Sequence, residues 1–469
     1  MLKKEKYSYL IQNTLLFTIS SFGSKILSFL LVPFYTNILS TSDYGTADLI
    51  TTTTTLLIFI FTINIADSVL RFAIERSEKQ EEILFFGIKV LAIGSIVLGG
   101  CLLLCWKYEI IKWDDYCYVF LFINFFVSAL NQIVFYYLRA IDDIVAVAVA
   151  GIITTAFTII SNITLLLIIR IGIIGYLISL IIGTTASTIY GLIRMNFRIT
   201  KVLIIRCDKR LQKTMCNYSI PLIFNGIAWW MNNGIDKYFI TLICSIAQNG
   251  IYAVAYKIPT ILLLFSSIFA QAWNLSAIKE FDKNDKDHFF VNMYTMYNAG
   301  LVIICSGLIL LNIPLAKFLF AKDFFEAWQY SSVLLISIIF SGLSSFIGSV
   351  FSAVKASNIF AISTVSAALI NIILNILLVP RWQLQGAAVA TAISFMAIWL
   401  IRLICSRKYI CWKLKWKVDV VAYLLLAMQV IFEHIKGHGY FYQLIIFIVI
   451  IILYKNQLIY LFHSFNNKE

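Results

Sequence analysis

Three lysines stand where a lysine is costly. Lys25 falls inside an apolar run from Asn13 to Phe34, and Lys237 and Lys257 fall inside later apolar runs. A charge near the middle of a membrane span costs about 3 kcal/mol or more, so such a residue reads as functional. An ammonium group in an apolar cavity suits phosphate, because it offers charge without demanding bidentate geometry. Asp236 stands beside Lys237. Adjacent helical residues do not face each other, so the two do not simply neutralise one another. Asp48 and Asp236 are the candidate cavity carboxylates for ion coupling. Asp48 reads equally well as a partner of Lys25 or as a charge at a helix N-terminus. Sugars are met by amides, hydroxyls and indoles. The candidates are Asn225, Trp229, Trp230, Asn232 and Asn233 in one segment, and Gln271, Trp273 and Asn274 in the next. Among these, Asn225, Trp229, Asn233 and Gln271 lead. The plainer readings are a lysine paired for structure, a Lys257 that snorkels, and Asn13, Asn371 and Asn375 as glue between helices.

These residues need elements to hold them. Of 469 residues, 61% are hydrophobic and 13% charged, and mean hydropathy is +0.88. That composition predicts an all-α polytopic membrane protein and no separate soluble domain. About 20 apolar residues cross the hydrocarbon. On that measure about 14 transmembrane helices are expected, at 12–34, 44–64, 83–106, 116–138, 146–169, 174–193, 217–243, 248–276, 289–313, 328–351, 358–379, 386–404, 418–435 and 441–460. The first span lacks a small-x-small cleavage site, so it is expected to persist as a helix. Of the 37 Lys and Arg side chains, 26 fall on one set of connecting segments and seven on the other. This bias places both termini in the cytoplasm. The basic stretch from Arg194 onward divides the chain. The expected organisation is an N-terminal lobe at 1–193, a basic cytoplasmic linker at 194–216, a C-terminal lobe at 217–404, and two further spans with a tail at 405–469.

The halves repeat. NILSTSDYGTADL, from Asn37 to Leu49, follows the first span, and LICSIAQNGIYAV, from Leu242 to Val254, follows the seventh. Ser40 meets Ser245 and Gly45 meets Gly250. Further on, Arg170 and Gly175 between spans five and six match Arg381 and Gly386 between spans eleven and twelve. Two pseudo-symmetric six-helix lobes of this kind form a transporter architecture, with the substrate site between the halves. Pro33, Pro221 and Pro259 offer bends for a rocking carrier.

Several chemistries are excluded. No HExxH, GxSxG or P-loop occurs, and no acidic cluster marks a metal site, so neither an enzyme nor a fused ATPase is expected, and no cofactor. The formal charge of +13 forms no basic stripe on a soluble domain, which argues against nucleic acid. The nine cysteines are scattered without CxxC pairs and read as buried thiols.

The residues also resemble a known family. Asn13-Thr-Leu-Leu-Phe, then Lys25-Ile-Leu-Ser-Phe-Leu-Leu-Val-Pro33-Phe-Tyr-Thr, then Leu39-Ser-x-x-Asp43-Tyr-Gly45 resembles the opening of the polysaccharide transporter family. Asp236-Lys-Tyr followed by Gly250-Ile-Tyr-x-x-x-Tyr256-Lys257 resembles that family's mid-chain pattern. The family sits in the superfamily of multidrug, oligosaccharidyl-lipid and polysaccharide exporters. Its members include bacterial O-antigen (Wzx-type) and capsule repeat-unit flippases. The resemblance implies a non-enzymatic carrier in the bacterial plasma (inner) membrane. Its substrate would be an undecaprenyl-diphosphate-linked oligosaccharide, moved from the inner to the outer leaflet. Membrane lipid, a polysaccharide polymerase and a chain-length regulator are the implied partners. In this reading Lys25 binds the diphosphate together with Lys237 or Lys257. The last two spans would flank a groove for the lipid tail, as in related peptidoglycan lipid flippases. The alternatives are a cation-coupled multidrug exporter of the same superfamily and a membrane polysaccharide polymerase. Mid-span lysines and fourteen spans disfavour the first; the lack of a large outer loop disfavours the second.

Overall fold

The computed structural model describes residues 29–76, 79–111, 113–196, 208–279, 289–354, 356–412, 414, 416–435, 439–457 and 459. Every regular element among them is a helix. Hydrocarbon offers backbone groups no partners, and a helix satisfies them within one segment. In chain order the helices are α1 (Val32–Ile38), α2 (Thr41–Phe61), α3 (Ile65–Glu75), α4 (Gln80–Lys107), α5 (Asp115–Ala140), α6 (Ile144–Asn162), α7 (Gly172–Arg194), α8 (Lys209–Ile243), α9 (Ile246–Ala255) and α10 (Pro259–Lys279). Then come α11 (Phe289–Leu310), α12 (Asn312–Leu319), α13 (Trp328–Ala353), α14 (Ser357–Ser406), α15 (Trp416–Glu433) and α16 (Gly439–Leu453). A π-helical turn, Ile163–Ile168, prolongs α6, and a 3-10 turn, Lys322–Ala327, leads into α13.

Among the described residues eight helices are long and apolar enough to cross a membrane, or nine if α9 and α10 form one bent span. The chain is therefore an all-α, multi-span membrane protein. Each expected span from the second to the fourteenth falls on helix, the eighth on two helices, α9 and α10. The smaller number has physical reasons. The first expected span lies mostly outside the described residues. The eleventh and twelfth spans run together through α14, where two helices meet at a kink at Gln383 (φ 49, ψ −128). Polar residues lower the hydropathy of α8, three charges (Lys417, Asp419 and Glu433) fall within the 18 residues of α15, and α16 has only 15 residues.

Two expectations about continuity change. The eighth span is broken: α9 and α10 meet at 51° across Tyr256, Lys257 and Ile258. Pro259 opens α10, and proline tolerates a first helical position because it has no N–H to satisfy there. Pro221, by contrast, lies inside α8 without ending it. The second change is an added element, α3. It starts after Ile63 and Asn64, both at positive φ, and Ser68 Oγ ties it to the Met215 carbonyl on α8 at 2.8 Å.

The repeated motifs adopt repeated local structure. Ser40 caps α2, accepting from the Asp43 N–H at 3.1 Å while Asp43 reaches back to the Ser40 N–H. Ser245 caps α9, accepting from the Gln248 N–H at 3.2 Å. At the other repeat, Gly172 has φ +56 and its counterpart Gln383 has φ 49. Both turns pass through the left-handed region that glycine tolerates and glutamine does not.

By Cα proximity the chain divides into two compact units, residues 1–230 and 231–469, with the division inside α8. In the first, α6 lies along α7, and α5 packs on α3, α4 and α7. Ile65, Val69, Phe72, Leu91, Phe125 and Ile133 form its main core. In the second, α13 packs on α10 and α14, and α15 and α16 pack on α11. Stacked rings fill its core: Trp273 lies 4.1 Å from Phe346, and Phe269 lies 4.0 Å from Tyr297.

A buried carboxylate at a helix break, a candidate transport site

Asp236 lies on α8 and is 1% exposed. Its Oδ2 accepts from Tyr252 Oη at 2.8 Å, Tyr256 Oη at 3.2 Å and Thr391 Oγ1 at 3.2 Å. Its Oδ1 accepts from the Lys237 N–H at 3.1 Å. The donors come from α8, α9, the break and α14. Tyr252 and Tyr256 are one helical turn apart, so both rings reach the same carboxylate. A buried carboxylate is tolerated only when its lone pairs are filled, and here four donors fill them.

The break also places Lys257. Its N–H donates to the Val254 carbonyl at 2.9 Å, and its own carbonyl accepts from Thr260 Oγ1 at 2.5 Å. Lys257 follows directly on Tyr256, so it adjoins the Asp236 node. Lys237 and Lys257 are both half-buried. Lys237 thus adjoins Asp236 on α8, and Lys257 adjoins its donor Tyr256 in the break.

The sugar-contact candidates separate. Asn225, Trp229 and Asn233 are exposed at four-residue intervals along one face of α8, and Trp229 is 55% exposed. Trp230, Asn232 and Trp273 are buried, and this corrects their candidacy. Trp230 Nε1 donates to the Thr52 carbonyl, Asn232 Nδ2 to the Thr364 carbonyl, and Trp273 Nε1 to the Phe346 carbonyl. Trp273 is stacked in the core, where no sugar reaches it. Asn274 accepts from Ser349 Oγ. The side chain of Gln271 lies outside the described residues, as does Lys25. Asn375 Nδ2 donates to Asn371 Oδ1 at 3.0 Å, a bond within α14.

In the first lobe Asp48 is half-buried on α2, one turn after Tyr44. Tyr35, Tyr44 and Tyr176 cluster there, with Tyr35 and Tyr176 rings 4.9 Å apart. Asn162 Nδ2 donates to Tyr35 Oη at 2.9 Å.

Sequence reasoning missed Arg402. Its place before a basic run made it read as a cytoplasmic cation, but it is 4% exposed inside α14. Its guanidinium donates to Ser363 Oγ at 3.0 Å, the Ser344 carbonyl at 2.9 Å and Thr364 Oγ1 at 3.0 Å, and it lies 4.0 Å over the Phe360 ring. The available signal was the spacing of Ser363 and Thr364 on one helix, which says little without the fold.

The fold and this node define a multi-span helical membrane protein with ionisable groups buried in its second unit. The chain belongs to the family described as polysaccharide biosynthesis protein, whose model matches residues 10–274, more than half of it. Among curated relatives, the probable low-salt glycan biosynthesis flippase Agl15 of Haloferax volcanii is 22% identical over 220 residues, covering 46% of each chain. The chain spans about half the length of the curated relatives it matches. Among solved structures, the lipid II flippase MurJ in an inward closed conformation superposes with a TM-score of 0.68 at 16% identity, over 95% of this chain and 100% of that one. An inward-facing multidrug resistance MATE family transporter of the MOP superfamily superposes at 0.65 and 10% identity, over 87% and 95%. These likenesses establish the fold.

Proposed function

We propose that this protein is a flippase that carries an undecaprenyl-diphosphate-linked oligosaccharide, an O-antigen or capsule repeat unit, from the cytoplasmic to the outer leaflet by alternating access. The observation that carries this reading is the buried Asp236, which is held by Tyr256 at a helix break, with half-buried Lys237 next to it in the chain and half-buried Lys257 next to Tyr256. Ammonium groups held inside apolar surroundings match a diphosphate. Lys25 supplies the first lobe's cation, Asp236 or Asp48 serves the coupling ion, and Asn225, Trp229 and Asn233 meet the glycan, with Gln271 as a further contact. Domains 1–193 and 217–404 act as the two lobes around the 194–216 linker, and 405–469 flanks the lipid tail. Both termini face the cytoplasm, and a polymerase and a chain-length regulator act downstream. A relative described as a probable glycan-biosynthesis flippase and the MurJ-like fold support the reading.

Replacing Lys25, Lys237 or Lys257 by alanine is the test. Loss of surface polysaccharide with protein still in the membrane is expected for Lys25 and for at least one of the other two. Normal polysaccharide in all three variants overturns the binding of the diphosphate by these lysines. The likeness to a multidrug transporter favours one other reading, a cation-coupled drug exporter. It predicts raised drug susceptibility on deletion with surface polysaccharide unchanged.

A further inference from the structure

A second buried carboxylate lies away from the Asp236 node, on the helix pair that follows the repeat. Glu433 ends α15 and is 5% exposed. Its Oε1 accepts from Asn312 Nδ2 and its Oε2 from Ser332 Oγ, each at 2.6 Å. Asn312 and Ser332 are themselves wholly buried. Among the described residues no lysine, arginine or histidine is bonded to Glu433. The residues that close on it are Asn312 from α12 and Trp328 and Ser332 from the start of α13. His434 follows it just past α15, but its Nδ1 contacts the Val430 carbonyl and its ring lies 5.2 Å from Trp328. On the packed elements, Lys317, Lys322, Asp323 and Glu326 are exposed, and α16 brings Tyr442 onto Phe432. Lys436 and His438 lie outside the described residues.

The node is short of hydrogens. Asn312 Nδ2 has two to give, yet the Trp328 carbonyl at 2.8 Å, Ser332 Oγ at 3.0 Å and Glu433 Oε1 all surround it. Among the described residues nothing donates to the buried Asn312 Oδ1. A carboxylate sealed among neutral donors carries an uncompensated charge, and one proton removes it. The existing contact with Ser332 can hold that proton. A hydrogen on Oε2 donates to Ser332 Oγ across the same 2.6 Å, a normal O–H···O length. Asn312 keeps its bond to Oε1. Asp419, on the same helix, differs: Asn298 and Tyr454 donate to it, and Tyr423 fills Asn298 Oδ1 in turn.

We propose that Glu433, with Asn312 and Ser332, is a proton-binding site built into the final helix pair, separate from the Asp236 node. Proton uptake removes the charge from the contact of α15 with α12 and α13; release leaves it there. The use of this site in a transport cycle rests on the carrier reading above, whereas its chemistry does not.

Infrared difference spectra of the full chain in lipid nanodiscs, recorded against pH without substrate, test this. A protonated-acid carbonyl band that titrates and is lost in Glu433→Gln is expected. In Asn312→Leu the band shifts to higher frequency, because its carbonyl loses a donor; this variant serves if Glu433→Gln fails to fold. Identical difference spectra for wild type, Glu433→Gln and Asn312→Leu overturn the proposal, as does a Glu433 that stays ionised at every pH through a pair with Lys436. A titrating band alongside absent flipping removes the carrier reading and leaves this site standing.

Discussion

The two lobes are built alike at their turns and differ inside. In the first unit every buried polar side chain among the described residues is a neutral Ser, Thr or Asn. In the second unit Asp236, Arg402, Asp419 and Glu433 are all buried. The contrast extends to packing. Membrane-length helices of the first unit are 22–33% buried, whereas α11 and the segment Lys322–Ala353 reach 61% and 78%. The last two helices cover α11, and burial on more sides lets a charge find enough donors. The lesson is that a shared backbone plan leaves the interior chemistry free, and among the described residues every buried charged side chain lies in the second unit.

The largest effect is expected at Asp236. Asp236→Leu strands the hydroxyls of Tyr252, Tyr256 and Thr391, at a cost of about 3 kcal/mol. Asp236→Asn keeps the shape and loses the charge. Thermal unfolding in detergent should separate them: a large drop for leucine, a small one for asparagine. A leucine variant as stable as wild type would end the claim that the second lobe depends on this carboxylate.

Next comes a pair of arginines. Arg402→Met leaves Ser363, Thr364 and the Ser344 carbonyl without their donor, costing about 2 kcal/mol. In the first lobe Arg194 pairs with Asp143 at 2.8 Å but is exposed, so Arg194→Met should leave unfolding almost unchanged. Equal shifts for the two would erase the contrast between lobes.

The smallest effect tests the likeness instead. Gln383→Gly should stabilise by up to about 1 kcal/mol, and Gly172→Ala should destabilise by a similar amount, because both positions hold positive φ. Shifts of the same sign would mean that the two turns are not equivalent.

Much of the architecture was legible before any coordinates. Apolar runs of sufficient length specify helices, because the membrane admits no other way to satisfy a single chain's backbone short of a closed barrel. The repeat was legible too, since Ser40 and Ser245 act through local caps that a few residues encode. The site was legible only in outline. Asp236 stood out as a charge in an apolar run, and the stripe of Asn225, Trp229 and Asn233 follows from helical spacing alone.

The partners of those residues were decided in three dimensions. Tyr252, Tyr256 and Thr391 converge on Asp236 from three elements, the last of them 155 residues away in sequence. Trp273 looked like a sugar platform and is a core ring, while Arg402 looked like a cytoplasmic charge and is a buried strut. Hydropathy and spacing act within one helix and so can be read from the chain. Whether a charged or aromatic side chain is sealed, and by which donors, depends on neighbouring helices that only the packed fold brings together.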